Sequence, residues 1–397
     1  MADDPREALT LGVSDKELER RWAAVRAAMK EKSLDALVMQ DTNEWLGGYV
    51  KWFTDVAARN GYPMTVIFPA DDMMTTITSG GRPPGDMGPP AWQFRGVKAR
   101  LSGPYFPSLH YSNTYDADLV IETLKNRKKA KIGMVGPGRI SYTFYEYLMR
   151  SMPDATFVNA TDLVDEIKAV KSAEEIELIK KTCALQDEVM AYAKTVVKPG
   201  RKVFEIVADV VHKATLLGSE EQLVLAGSGP LGRPAHYQKR QHQNRTLKEN
   251  EAFTLLIEVN GPGGMYAELG RIFFTGSVPA ELSDAYRLCC EAQKVSLKLL
   301  KPGVGTKTIW DANNEFLARH GKILETRLYA HGQGYDLVER PAIRDDEPMS
   351  LQTNMNIVVH PAIGSDRLWV SVCDNYLITE SGASPCLHKF PQEIFSV

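Results

Sequence analysis

Residues 163–190, LVDEIKAVKSAEEIELIKKTCALQDEVM, decide how the chain is divided. Within this stretch, Ser172-Ala173-Glu174-Glu175 has the S-x-x-E spacing of a capping box, in which the serine hydroxyl and the glutamate carboxylate bind backbone N–H groups at a helix start. The pattern predicts a long helix over 172–197. We therefore place a domain boundary just before it, which divides the chain into residues 1–165 and 166–397.

The part of the chain before this helix alternates between helical and strand patterns. Leu18, Trp22, Val25 and Met29 recur every three to four residues, which indicates an amphipathic helix over 14–32. Further predicted elements are strands at 34–40, 64–69, 73–78 and 131–135 and a helix at 141–152. This order predicts an α/β domain with a doubly wound or mixed sheet.

The part after the boundary contains a weak internal repeat. A predicted helix ends at Lys198-Pro199-Gly200 and another at Lys301-Pro302-Gly303, and each is followed by a second helix. An apolar strand follows each unit at nearly the same distance, 254–258 in the first and 356–360 in the second. A duplicated helix–helix–sheet unit predicts a domain with pseudo-twofold symmetry. The repeat would bring Glu258 opposite His360, and Glu268 opposite residues 373–374.

Bulk composition excludes several classes of protein. The 397 residues suggest two or three domains, and a net charge of −3 gives no electrostatic reason to expect a nucleic acid or membrane partner. The sequence has no apolar run long enough to span a bilayer, and its acidic, polar N-terminus does not resemble a signal peptide. We expect a cytoplasmic protein. Five cysteines without a CxxC pair argue against a disulfide framework and a zinc finger.

Residues 79–111 differ from the rest of the first domain because they are rich in glycine, proline and aromatic residues. We interpret this segment first as an irregular surface loop packed by its own rings. The alternative is a flap that lines or covers a ligand site.

Several ionisable residues stand where an apolar strand ends. Glu258 ends TLLIE, His360 ends NIVVH and Asp374 follows WVSVC. Each could be solvated beyond its strand, or paired and functional. His236 and His331 lie in glycine-rich loops, and with Glu258, Glu268 and His360 they form a candidate acid–base or metal cluster. The other histidines, His388 among them, we interpret as structural or exposed.

At these residues the sequence resembles the creatinase, prolidase and aminopeptidase P family, which has the pita-bread fold. Residues 21–48 resemble the start of its N-terminal domain, and 163–190 resemble its linker helix. The resemblance implies an α/β fold with a creatinase-like N-terminal domain and a C-terminal pita-bread domain. It also implies a homodimer. Metal-dependent members hold two metals with two Asp, one His and two Glu, and the matching positions here are Glu258, Glu268, His331, His360 and Cys373.

Only the histidine among these five ligands is unchanged, which favours a divergent member that is not a peptidase. Glu268, His331 and His360 could hold one Fe, Mn or Zn ion, with Cys373 as a possible fourth ligand. A metal-free site of the creatinase type is the alternative. In creatinase, the equivalent of His236 serves as acid and base.

These observations predict a hydrolase or lyase that cleaves a C–N or similar bond in a small polar molecule. His236, Glu258, Glu268, His331 and His360 would be catalytic, while Arg340 and Cys373 would bind the substrate, with Arg340 holding a carboxylate. One alternative is an Xaa-Pro metallopeptidase with a modified metal site. Another is a non-catalytic binding protein on the pita-bread fold.

Overall fold

The computed structural model describes residues 12–42, 45–58, 61–81, 84 and 90–397. The described chain divides into two compact units, Gly12–Lys168 and Ala169–Val397. The division falls three residues after the boundary that the sequence predicts. In the described ranges, no helix is long and apolar enough to cross a bilayer.

The first unit is built on a mixed sheet with the strand order β4-β3-β2-β1-β5-β6. Strand β1 pairs antiparallel with β2 and parallel with β5. The strands are β1 (Ala36–Asp41), β2 (Met64–Pro69), β3 (Met74–Ser79), β4 (Val97–Gly103), β5 (Lys131–Val135) and β6 (Thr156–Asn159). The helices are α1 (Asp15–Glu31), α2 (Gly48–Thr54), α3 (Tyr115–Thr123), α4 (Tyr142–Ser151) and α5 (Thr161–Ala169). This arrangement confirms the predicted mixed α/β sheet.

The aromatic segment 79–111 is only partly an irregular loop, because it contains β4. This strand pairs parallel with β3 at the edge of the sheet, from Met74 opposite Val97 to Ser79 opposite Gly103. The preferred interpretation as a loop packed by its own rings is therefore wrong for residues 97–103. Their sequence, VKARLSG, alternates too weakly between apolar and polar residues to show the strand, since most of its side chains are only half-buried. Residues 82, 83 and 85–89 lie outside the described ranges.

The second unit, all of whose residues are described, contains three sheets and the long helices. One sheet has the order β17-β9-β8-β7, another has the order β11-β10-β12-β15-β16, and β13 pairs with β14. The helices are α6 (Ala173–Val196), α7 (Val203–Leu216), α8 (Ala280–Leu299) and α9 (Thr306–Arg319). The strands are β7 (Gln222–Pro230), β8 (Glu251–Asn260), β9 (Tyr266–Phe274), β10 (Ala330–Gly332), β11 (Glu339–Ala342), β12 (Asn356–Val359), β13 (Ala362–Gly364), β14 (Trp369–Ser371), β15 (Asp374–Thr379), β16 (Gly382–Ala383) and β17 (Ile394–Ser396).

The predicted repeat is confirmed at the two Lys-Pro-Gly turns. Gly200 and Gly303 have φ angles of +87° and +82°, a backbone conformation that favours glycine. Each donates its N–H over 2.8 Å to a residue of its own half, Gly200 to Leu247 O and Gly303 to Leu351 O. The two helix pairs therefore turn in the same way, and an equivalent backbone bond ties each turn to a later loop of its own half.

The predicted helix start and the predicted state of the cysteines are also confirmed. Ser172 caps α6, its hydroxyl accepting from Glu175 N while the Glu175 carboxylate accepts from Ser172 N. All five cysteines are free thiols.

Candidate active site

Two glutamates face each other across the antiparallel pair β8–β9. Glu258 and Glu268 are register partners, both are buried, and residues directly opposite in such a pair project from the same face of the sheet. Burial raises the pKa of both carboxyl groups, and that of Glu258 is raised further by Glu268. The pair therefore retains a proton. The repeat predicted His360 opposite Glu258. In the structure, the residue directly opposite Glu258 is Glu268, its partner across the β8–β9 pair.

Glu268, His331 and His360 meet at one point, as the sequence predicted for a metal-binding set. One possible ligand atom from each lies within 4.8 Å of the others. His331 lies on β10 and His360 follows β12, and these antiparallel strands bring the two rings to a centroid distance of 5.2 Å. His331 Nε2 lies 3.8 Å from Glu268 Oε2.

The hydrogen bonds of the two histidines leave nitrogen lone pairs available. His331 Nδ1 lies 2.8 Å from Gly332 O, and because a carbonyl oxygen only accepts, Nδ1 carries the proton of the neutral ring. Burial lowers the pKa of His331 to about 4. Burial, together with the charges of His331 and Arg327, lowers the pKa of His360 well below its usual value. His360 Nε2 is buried and has no hydrogen-bond partner among the described residues.

Cys373 forms a hydrogen bond with the carboxylate of this set. Its Sγ lies 3.1 Å from Glu268 Oε1, and burial raises the pKa of the thiol well above its usual range, so the thiol donates. Gly270 allows this approach, because a Cβ there would lie 2.9 Å from the Cys373 Cβ. The neutral thiol of Cys373 thus orients the Glu268 carboxyl group through this hydrogen bond. Its predicted contact with substrate stays a prediction.

Asp374, the next residue, is paired inside the core. Its Oδ1 lies 2.7 Å from Nη2 of Arg271, and both side chains are fully buried. Gln392 Nε2 donates to the other carboxylate oxygen over 2.7 Å. The interpretation of Asp374 as solvated beyond its strand is therefore wrong, and its partners give it a structural role.

His236 lies outside the cluster, in an exposed position. Its ring contacts that of Trp369 at a centroid distance of 5.3 Å, and Tyr237 contacts the same indole at 4.9 Å. Tyr237 also packs against a small core group that includes Cys373. His236, Tyr237 and Trp369, which we call the aromatic wall, thus connect the surface with the Cys373–Glu268 pair. The backbone of His236 passes so close to strand β7 that residue 227 must be glycine, since a Cβ there would lie 1.8 Å from His236 O.

Two arginines differ in their access to the site. Arg340, the predicted carboxylate binder, donates through Nε and Nη2 to Glu347, so its guanidinium is already paired. Arg327 pairs with Glu325 through Nε and Nη2, while its Nη1 forms no hydrogen bond within the described ranges. Although His236 is exposed by surface area, partial desolvation of its ring and the positive charge of Arg327 lower its pKa. The charge of Arg327 also acts to lower the pKa of Glu268 and of His360.

Family models match both units of the chain. The model of metallopeptidase family M24 matches residues 177–380, and that of the creatinase/prolidase N-terminal domain matches 21–170. The chain belongs to the M24 family. Its architecture is a creatinase-like N-terminal domain followed by an M24 pita-bread domain, as the resemblance implied.

Curated M24 relatives include peptidases and a small-molecule hydrolase. A probable dipeptidase PepE of Mycobacterium tuberculosis is 27% identical over 244 residues, so the match covers 60% of this chain and 64% of that protein. A Xaa-Pro dipeptidase of Pyrococcus furiosus is 26% identical, with 67% and 75% covered. Ectoine hydrolase of Halomonas elongata is 24% identical, with 95% and 96% covered. These relatives support a general hydrolase.

Solved M24 structures have the same fold. An X-Pro aminopeptidase from Thermotoga maritima superposes with a TM-score of 0.78 at 18% identity, covering 95% of this chain and 99% of that one. Dipeptidase PepE from Mycobacterium ulcerans gives a TM-score of 0.76 at 21% identity, covering 98% and 100%. At this level of identity the likeness concerns the fold alone.

The M24 site of this chain fits one divalent ion better than two. Two imidazole nitrogens and one carboxylate suit a single Fe, Mn or Zn ion, and the unpartnered Nε2 of His360 is the atom that such an ion would satisfy. Two ions need bridging carboxylates. In this chain, both glutamate ligands of the two-metal pattern are replaced, the first by His360 and the last by the thiol of Cys373.

Sequence reasoning missed five residues that surround this site. Arg327 and Tyr237 lie in loops whose course the sequence does not reveal. Three others interact with the two glutamates. Gln333 donates to Glu258, Asn375 accepts from the backbone of Glu268, and His388 acts to lower the pKa of Glu268. Gln333 and Asn375 could have been noticed, because each is an amide in an otherwise apolar or glycine-rich strand segment.

Proposed function

We propose that this protein is a hydrolase that cleaves a C–N bond in a small polar or zwitterionic molecule. The observation that carries the proposal is the donor set itself. Glu268, His331 and His360 lie within 4.8 Å of one another, and Cys373 donates to Glu268 where the peptidase pattern has a bridging glutamate. Such a set offers two neutral imidazoles and one carboxylate, which favours one cation and disfavours a two-metal peptidase centre.

The proposed reaction needs two functions, which are polarisation of the bond and proton transfer. A divalent ion held by Glu268, His331 and His360 would polarise the bond to be cleaved. Glu258 shares a proton with Glu268 and holds that carboxylate in place. Partial burial and the charge of Arg327 lower the pKa of His236, which favours the neutral ring. A ring nitrogen of His236 accepts a proton from the attacking water and returns it to the leaving nitrogen.

The surroundings of the site suit a substrate with an anionic group. Among the described residues, Nη1 of Arg327 has no hydrogen-bond partner, and 46% of the Arg327 side chain is exposed. We assign it the carboxylate-binding role that the sequence predicted for Arg340. The aromatic wall offers inclined ring faces and edges as apolar contacts for the rest of a small molecule. The ectoine hydrolase relative, which matches along 95% of this chain, supports a small-molecule substrate.

The test is a comparison of substrates with the purified protein. We expect release of product from a small C–N compound such as ectoine or an N-acyl amino acid, and loss of that activity in Glu268→Gln. His320→Gln, on the exposed end of α9, is the matched control. Incorporation of ¹⁸O from water would distinguish hydrolysis from the elimination that a lyase would catalyse.

A second candidate is an Xaa-Pro dipeptidase, which the Pyrococcus furiosus relative favours. It predicts proline release from an Xaa-Pro dipeptide with added Mn, Co or Zn, at a higher kcat/KM than any small C–N compound gives. A non-catalytic binding protein predicts instead no turnover of any compound, with ligand binding unchanged in His236→Ala. The homodimer that the resemblance implies stays a prediction, for sedimentation analysis to test.

A further inference from the structure

His388 is a buried histidine beyond the region that the M24 family model matches. It lies between β16 and β17, and its side chain is fully buried. Nδ1 lies 3.5 Å from Oδ1 of Asp187 on α6. The same carboxylate accepts the backbone N–H groups of Lys389 over 2.7 Å and Phe390 over 3.1 Å. Asp187 therefore holds the backbone beside His388 by two hydrogen bonds and lies next to the ring as a charge partner, while Nδ1 itself has no hydrogen-bond partner among the described residues.

The other ring nitrogen contacts an amide beside the active site. His388 Nε2 lies 3.3 Å from Asn375 Oδ1, and that oxygen also accepts the backbone N–H of Glu268 over 2.7 Å. The reversed amide would direct its N–H₂ group at a backbone donor, so the oxygen must face Glu268 and Nε2 must donate. Burial would lower the pKa of His388, but Cys183 and Asp187 raise it to about 10. Both nitrogens therefore carry protons.

The orientation of Asn375 determines the next two contacts. Its Nδ2 donates to Gln333 Oε1 over 2.9 Å, so Gln333 must direct its own N–H₂ group away from Asn375. Gln333 Nε2 then donates to Glu258 Oε1 over 3.3 Å and to Leu337 O over 3.1 Å. A continuous series of buried polar contacts thus runs from Asp187 to both site glutamates.

We propose that His388, held by Asp187, is a positioning residue that orients Asn375 and Gln333 and through them the Glu258–Glu268 pair. In this role it rests on the proposed function, since that function makes these carboxylates the reacting groups. Without the N–H of His388, Asn375 loses the contact that helps to determine which way its amide faces. Gln333 would then be held less firmly in the orientation that donates to Glu258, because only Glu268 N–H on Asn375 and Leu337 O on Gln333 would still favour it. The positive charge of His388 also acts on Glu268.

The experiment compares His388→Leu, which removes the donor, with His388→Gln, whose amide can still donate to Asn375. Asp187→Asn tests the support of the ring, and His320→Gln is the control on an exposed histidine. The first measurement is the side-chain amide ¹⁵N resonances of Asn375 and Gln333, which needs no substrate. The second is kcat and KM for whichever small C–N compound the wild type hydrolyses, with the folded fraction checked by circular dichroism.

We expect His388→Leu to shift or split both amide resonances and to lower kcat about tenfold with KM within about twofold, as losses of supporting contacts often do. His388→Gln should restore most of both, and His320→Gln should change neither. Unchanged amide resonances in folded His388→Leu would overturn the inference. So would a fall in kcat that His388→Gln does not relieve. If the wild type hydrolyses nothing, the proposed function fails, and the amide resonances still decide the role of His388.

Discussion

Cys373 Sγ donates a hydrogen bond to Glu268 Oε1 over 3.1 Å, inside the strand layer that also holds His331 and His360. The peptidase pattern of the family has a carboxylate at position 373, where it would repel Glu268 unless a cation lay between them. A neutral thiol removes that repulsion and makes Glu268 stable without a second ion. The predictions below follow from this arrangement and its surroundings.

Protein purified without chelator or added metal should contain about one equivalent of Fe, Mn or Zn, because the donor set suits one such ion. His331→Ala and His360→Ala should each lose most of it, since each removes one ligand nitrogen. Inductively coupled plasma mass spectrometry measures the content, and His320→Ala is the control. Two equivalents would support the peptidase alternative, and none would leave the metal-free, creatinase-like site.

Cys373→Glu should increase the capacity for divalent ions from one to two, because it restores an acidic ligand beside Glu268. Cys373→Ser, which keeps a donor of similar size, should leave the capacity at one. Isothermal titration calorimetry with Mn²⁺ gives the number of ions that each variant binds. Equal capacity in both would show that position 373 does not decide the number of ions.

Arg327→Gln should raise KM for an anionic substrate by roughly tenfold or more with a smaller effect on kcat, since a lost charge-assisted hydrogen bond costs roughly 1.5–3 kcal/mol. A substrate amide or ester that lacks the carboxylate should respond much less. Arg340→Gln is the matched control. If Arg340→Gln raised KM and Arg327→Gln did not, the original assignment to Arg340 would be correct.

Asp374→Ala should destabilise the protein by roughly 3–5 kcal/mol, because it leaves the guanidinium of Arg271 buried without its charge partner. Asp284→Ala, which breaks an exposed pair with Arg287, should cost roughly 0–1 kcal/mol. Urea unfolding of the two variants gives both free energies. Similar values would mean that Arg271 finds another partner or water.

The His388–Asp187 pair should make stability depend on pH. Because the pKa of His388 is raised to about 10, its contribution is complete below the usual histidine value of about 6.5 and declines until pH passes about 10. Burial acts to raise the pKa of Asp187, but the neighbouring His388 ring and the backbone N–H groups of Lys389 and Phe390 lower it, so the carboxylate's contribution is lost as pH falls below about 4.

Urea unfolding at pH 6 and pH 10 tests this dependence. Wild type should exceed His388→Gln by several kcal/mol at pH 6, with a clearly smaller difference at pH 10. Besides Asp187, the titratable groups that raise the pKa of the ring are Cys183 and Asp374. A difference that does not change with pH would mean that the ring is neutral in the folded protein.

The amino-acid sequence determined the local elements and the residues of the candidate metal-binding set. The capping box at Ser172, the two Lys-Pro-Gly turns and the apolar strands are local patterns, and each forms through contacts between residues near in sequence. Glu268, His331 and His360 could be predicted because each breaks an apolar or glycine-rich pattern, and because the resemblance aligned them with known ligand positions. Strand β4 was missed because its half-buried edge position leaves no clear alternation.

Only the tertiary structure decided which polar groups are partners. Glu268 and Cys373 are 105 positions apart, Arg271 and Asp374 are 103 apart, and no local pattern links such residues. Strand pairing brings them together. Burial then keeps the Cys373 thiol neutral, whereas the neighbours of His388, chiefly Cys183 and Asp187, raise its pKa against the effect of burial. The sequence thus specified the candidate ligands, whereas packing decided their protonation and the contacts that hold them, because both depend on neighbours that folding alone supplies.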